Sequence, residues 1–196
     1  MNYLAHLFLA QNTVESRVGN LMGDFMRGVR LAELAPAVAA GVRNHRAVDR
    51  FTDTHPEVQA LKKRISAKRR RFAGVIIDLA FDHYLINHWD RFSARPFDQD
   101  CQFYYAQLMQ GRHLMPSAMD QTSQRIVAQD WFSSYRTLEG VGFALDRIAG
   151  RIRFKNEFHG AIAELEPLDE ALNRSFLRFF PELVEEIRAL AIETRH

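Results

Sequence analysis

A chain of 196 residues, 47% of them hydrophobic and fifteen of them Phe, carries enough apolar mass for one ordinary domain with a sizeable core. Its 26 Lys and Arg against 24 Asp and Glu leave a net charge of +2, so there is no general pull toward a polyanion and any electrostatic partner must answer to a local cluster. One cysteine, Cys101, excludes an internal disulfide and any Cys-rich zinc site.

A lone thiol fits a reducing setting, and the start MNYLAHLFLAQN lacks the leading basic region and small-residue cleavage site of a secretory signal. No apolar run approaches the roughly 20 residues of a membrane span. The expectation is a soluble cytoplasmic protein with no membrane contact.

Taken in order, residues 3–10 form a short apolar helix holding His6, and the polar residues 11–17 interrupt it as a loop. Leu21, Met22, Phe25 and Met26 then recur at helical spacing around Asp24, with Gly28 as a stop. Pro36 suits the first position of a helix that runs to Thr52, and on it His45, Asp49 and Asp53 recur every four residues and share one stripe. Pro56 opens another helix, whose tail KKRISAKRRR places seven cations among residues 62–71 with no acid between them. Residues 72–92, FAGVIIDLAFDHYLINHWDRF, read as the central helix, apolar all round and therefore buried. Beyond it come a turn-rich stretch SARPFDQD, a helix through Phe103 and Leu108, a break at Pro116, and helical patterns over 126–135, 145–152 and 165–192, the last broken at Pro181. Period-two alternation with hairpin turns is absent, which predicts an all-α fold in a single compact helical domain. Residues 1–92 form its metal or catalytic half and 93–196 its helical scaffold.

The central helix poses the functional question, because Asp78, Asp82 and His83 sit among its apolar residues. Buried carboxylates are costly unless a cation meets them. Asp78 and Asp82 lie about 40° apart on an ideal helix, so they share a face and repel unless one is protonated or a cation lies between them. Ion pairs to Arg46, Arg50 or Arg71 would satisfy them without function. A second acid and histidine stripe at His45, Asp49 and Asp53, with Asp24 besides, favours a divalent metal site instead. An oxygen-rich donor set leans toward Mn2+, with Mg2+ and Fe2+ as alternatives. His6 and Asp53 are second-rank candidates: a histidine among apolar residues is often only a hydrogen-bonded core residue, and Asp53 also suits a cap on the Pro56 helix. The cationic run has three readings, a solvated helix tail, a nucleic-acid patch without the usual interleaved aromatics, and a docking surface for an acidic protein.

Four segments, MNYLAHLFLA, GNLMGDF, NHRAVDRFTDTHPE and DLAFDHYLINHW, resemble in order and spacing the acyl carrier protein phosphodiesterase family, and FLRFFPEL resembles it more loosely. The resemblance implies hydrolysis of the phosphodiester that joins 4'-phosphopantetheine to a serine of acyl carrier protein, with a divalent metal, typically manganese. That family is similar to the HD-domain metal phosphohydrolases, so a divergent HD-like helical fold is expected. This chain has no His-Asp dipeptide, only the reverse order at Asp82 and His83, and the ligands must be argued from position.

On that basis Asp24, His45, Asp78 and Asp82 are the expected metal ligands. Asp49 and His83 are the expected base, ligand or orienting groups, and Arg46 or Arg50 holds the phosphate. Lys62, Lys63, Arg64, Lys68, Arg69, Arg70 and Arg71 are expected to receive the acidic carrier protein, and no nucleic-acid partner is expected. Two rival readings remain: an HD-like hydrolase of a nucleotide or other small phosphoester, and a non-catalytic helical nucleic-acid-binding protein.

Overall fold

The helical patterns of the sequence assemble, in a computed structural model that describes residues 1–154 and 156–194, into α-helices joined by turns, 3-10 segments and two longer connections, with no strand among the described residues. The expected scaffold half extends to residues 155, 195 and 196, which lie outside the described ones. In chain order the helices are α1 (Tyr3–Leu9), α2 (Val14–Met22), α3 (Pro36–Thr54), α4 (Pro56–Arg64), α5 (Ala73–Asn87), α6 (Phe97–Gln110), α7 (Ser117–Ala128), α8 (Trp131–Ser134), α9 (Leu138–Ala149) and α10 (Asp169–Leu190). No helix among the described residues is long and apolar enough to cross a membrane.

The all-round apolar character of α5 is explained by its neighbours: it packs against α1, α4, α9 and α10. Ile76, Ile77, Ala80, Phe81 and Leu85 on it are fully enclosed. Phe81 meets Phe176 and Phe179 of α10 at ring separations of 5.5 and 5.3 Å, an aromatic contact that adds to the burial of each side chain. One hydrophobic cluster runs from Met1 to Leu183, so both halves of the chain share a core.

The pair α2 and α3 matters most for the site. Gly19 and Gly41 face each other where the two backbones come together, and a Cβ on either would strike backbone atoms of the other helix. This close approach sets α3 beside the end of α2. Gly23 then leaves the room that the His45 ring fills.

Several expected boundaries move. Half of the expected loop at 11–17 is helical, because the Thr13 hydroxyl accepts the Ser16 N–H at 3.1 Å and starts α2 there. Asp24 lies beyond α2, in a 3-10 turn over Gly23–Phe25. α4 ends at Arg64, so the second half of the cationic run is turn rather than helix tail; buried Ile65 is extended, and the Glu164 carboxylate takes the Ser66 N–H at 3.0 Å in place of a helical acceptor. α5 stops at Asn87, short of the expected 92, and a 3-10 turn follows over Trp89–Arg91. The pattern at 126–135 is divided by Asp130, which has a φ of 45°, and α9 begins before the expected 145. α10 runs through Pro181 without a break. Pro181 lacks one helical N–H, but Phe176, Phe179, Phe180 and Leu183 anchor both sides of it in the core.

Candidate metal centre

His45 and Asp49 stand one turn apart on α3, so their side chains meet on one face. His45 Nδ1 donates to the Asn20 carbonyl at 2.7 Å, which fixes the ring and leaves Nε2 pointing at the Asp49 carboxylate, 3.0 Å from Oδ2. The His6 ring from α1 stacks on the His45 ring with centroids 3.8 Å apart, and His6 Nε2 reaches Asp49 Oδ1 at 3.2 Å. Donor atoms of His6, His45 and Asp49 all lie within 4.8 Å of one another.

Two further acids border this trio. Asp24 Oδ1 is 3.8 Å from His45 Nε2, and Asp78 on α5 faces the Met1 ammonium, which lies 3.3 Å from both Asp78 Oδ1 and Asp49 Oδ1. Three carboxylates therefore converge on positive groups. The Asn20 side chain, besides its carbonyl on His45, is held by Glu193 at 3.2 Å and by Asn44 at 2.9 Å, a layer of polar contacts behind the histidine.

The electrostatics follow from burial and proximity. Burial pushes His6 down to about 3, helped by the neighbouring His45 charge and opposed by its bond to Asp49. Burial also works against a charged His45, but the Asp49 bond and the Asp49 and Asp24 charges outweigh it and raise that ring. Asp49 is only partly buried, and although that burial works to raise it, the two imidazoles that bond to it hold it below the usual carboxylate range. Burial raises Asp24 and Asp78, the nearby positive groups notwithstanding.

The donor set suits a divalent transition metal. Two imidazoles and one carboxylate, with Asp24 and Asp78 bordering them, would suit Mn2+ or Fe2+ better than Mg2+, which prefers oxygen alone. His6 Nδ1 is buried with no hydrogen-bond partner among the described residues, as are Asp100 Oδ1 and Ser123 Oγ elsewhere in the fold.

Other expected site residues lie elsewhere. Asp82, expected as a ligand, is fully buried with both oxygens engaged at the start of α1: Oδ2 accepts the Leu4 N–H at 3.1 Å and the Asn2 amide at 2.9 Å, and Oδ1 accepts the Ala5 N–H at 3.1 Å. It caps that helix and so positions His6 one turn on. His83, expected as base or orienter, points away from the cluster, with Nδ1 on the Tyr135 carbonyl at 2.7 Å and Nε2 on the Asn87 amide at 2.9 Å. Asp53 continues the α3 stripe but pairs with Lys62 at 2.7 Å, and His55, not Asp53, caps α4 by accepting the Glu57 N–H. Arg46 and Arg50 are exposed and form no ion pair among the described residues.

The cationic run divides. Lys63, Arg64, Lys68 and Arg70 are exposed, and Arg71, also exposed, stacks on Phe154 at 4.3 Å. Arg69 is buried, donating to Glu164 at 3.0 Å and to the carbonyls of Glu157 and His159 at 2.8 Å each, which removes it from any docking surface. Sequence spacing alone does not bring His6 onto His45 or place Asn20 behind that ring; a polar residue within the apolar end of α2 is the available signal for the latter.

Comparisons with known proteins bear on what such a cluster does. The sequence model of the family described as acyl carrier protein phosphodiesterase matches residues 1–183. Proteins named acyl carrier protein phosphodiesterase are similar over nearly their full lengths. That of Serratia proteamaculans is 33% identical, covering 96% of this chain and 98% of the relative. That of Yersinia pestis is 30% identical over 95% and 97%, and that of Escherichia coli O6:H1 is 29% identical over 98% and 100%. No solved structure gives a significant match. With its helices, its histidine and acid stripe on α3 and a family match that takes in every residue of the cluster, the chain belongs to the acyl carrier protein phosphodiesterase family.

Proposed function

We propose that this protein hydrolyses the phosphodiester between 4'-phosphopantetheine and the serine of holo-acyl carrier protein, releasing apo-protein and the free arm, with a divalent ion, Mn2+ first, held by His6, His45 and Asp49. The observation that carries the reading is the convergence of those three side chains, bordered by Asp24 and Asp78, in a member of this family. When bound, the ion supplies Lewis acidity toward phosphoryl oxygen and acidifies water. Asp49 gathers both imidazoles, and the Asn20 carbonyl keeps the His45 ring in one orientation. Asp24, half-exposed and raised by burial, suits the acceptance of a proton from the attacking water. Asp78 either completes the ligand set or keeps the acids converged. Arg46, exposed beside His45, provides a planar fork for the phosphate.

The exposed cations Lys63, Arg64, Lys68 and Arg70 are the proposed landing for an acidic carrier protein, since opposite charge speeds encounter and sets orientation. Lys62 anchors this surface to the site: its partner Asp53 lies one turn along α3 from Asp49.

The test is activity on holo-acyl carrier protein before and after chelation and on restoring Mn2+, with Asp49→Asn alongside. The reading requires loss on chelation, recovery with Mn2+, and a fall of about a hundredfold or more in the folded variant. Turnover that survives both chelation and Asp49→Asn would overturn it.

A further inference from the structure

Between the start of α1, α5 and α9 lies a narrow, half-enclosed cavity of about 50 Å³ that the cluster itself does not use. Its lining is contiguous in sequence with the cluster. Asn2 and Tyr3, which line it, follow Met1, and Leu79, on its α5 wall, follows Asp78. Burial pushes the Tyr3 hydroxyl up to about 12, with Asp24 adding to the rise and Arg151 opposing it.

The far side of the cavity is cationic. The Arg147 and Arg151 guanidiniums, both exposed, lie 4.4 and 5.9 Å from the centre of the Trp131 ring. Neither forms an ion pair among the described residues, and Arg147 has only the Gln129 amide oxygen, at 3.3 Å. Two like charges gathered on one ring repel each other, and an anion between them and the acid cluster relieves that repulsion. The inner walls, from Leu79, Ala144 and Ile148, are apolar.

Size and lining select the ligand. The cavity is small and its inner walls are apolar, which suits a compact apolar group. In 4'-phosphopantetheine the carbon after the phosphoester methylene bears two methyl groups, which places a compact apolar branch immediately beside the anion. We infer that this cavity is the subsite for the dimethyl end of the 4'-phosphopantetheine arm, with Arg147 and Arg151 holding its phosphate from the side opposite the acids. The inference rests on the substrate proposed above and makes α9 a specificity element rather than scaffold.

Trp131 supplies a reporter, because the other tryptophan, Trp89, packs elsewhere against Phe8 and Phe97 and can be changed to Phe. Free 4'-phosphopantetheine, titrated in Mn2+ buffer, should change Trp131 fluorescence saturably, and pantetheine without phosphate should bind more weakly. Arg151→Gln and the cavity-filling Ala144→Leu should each weaken binding about tenfold or more, the cost of one charge-assisted contact or one blocked apolar seat. Both should lower kcat/KM for holo-acyl carrier protein in proportion; Ala144→Leu, which blocks only the apolar seat, should leave bis(4-nitrophenyl) phosphate hydrolysis within about twofold of wild type, whereas Arg151→Gln, which removes a contact to the phosphate itself, should slow both substrates. Arg151→Gln changes an exposed side chain, so it stays informative if Ala144→Leu fails to fold. Wild-type affinity for the free arm in Arg151→Gln, or equal losses on both substrates in Ala144→Leu, would overturn the subsite. A wild-type protein that binds the free arm this way yet leaves holo-carrier protein intact would uphold the subsite and count against the proposed activity.

Discussion

Arg69 is the sharpest place to separate architecture from recognition within the cationic run. Changing it to Gln removes a guanidinium that ties the turn after α4 to the segment around Glu164, through the 3.0 Å ion pair and the two 2.8 Å bonds to the Glu157 and His159 carbonyls. Glu164 would keep only Ser66, whose N–H and hydroxyl donate at 3.0 and 2.5 Å. Breaking one side of a buried pair costs about 3–5 kcal/mol, and here the lower end applies because both side chains retain 10% exposure. A loss of about 3 kcal/mol lowers Tm by roughly 6–12 °C in a chain of this size. Urea and thermal unfolding followed by circular dichroism measure it, with exposed Lys68→Gln as the neutral reference. Arg69→Gln within about 0.5 kcal/mol of wild type, together with a raised KM for holo-carrier protein, would refute the structural role and return Arg69 to the docking surface.

Two further outcomes follow from the same geometry. Burial lifts Asp82 up to about 7, against the three hydrogen bonds that lower it, so the folded protein holds this proton where the unfolded chain has lost it; its stabilising contribution is complete below about pH 4 and is lost as pH rises to about 7, on the order of 4 kcal/mol. Asp82→Asn should remove that slope from the pH dependence of urea unfolding, and a variant that keeps the wild-type slope would refute the buried proton. Reversing Lys63, Arg64 and Lys68 to Glu should raise KM for holo-carrier protein at least several-fold, diminish with added salt, and leave bis(4-nitrophenyl) phosphate unaffected; equal effects on both substrates would dismiss the docking surface.

What the sequence made legible was local. The Pro36 start and the spacing of four put His45 and Asp49 on one face, and the all-round apolar run identified α5 as the centre of the core. What it hid was tertiary. Asp78 and Asp82 share a helix face by spacing, yet one turn separates a carboxylate at the cluster from one committed to the amides of α1, because only the packing of α1 on α5 decides which acid meets which donors. His6 looked like an ordinary core histidine until α1 laid its ring on His45. Arg69 is indistinguishable from its cationic neighbours in sequence, since its partner Glu164 lies 95 residues away. Pro181 reads as a helix break, but burial on both sides outweighs one missing hydrogen bond.

The most direct test of the whole account is the intact mass of a holo-acyl carrier protein after incubation with this protein and Mn2+. The expected result is loss of the entire phosphopantetheine arm, phosphate included, to leave an unmodified serine, with loss slowed about a hundredfold or more in a parallel incubation with Asp49→Asn. A holo-carrier protein of unchanged mass, or one that keeps its serine phosphate, would contradict it.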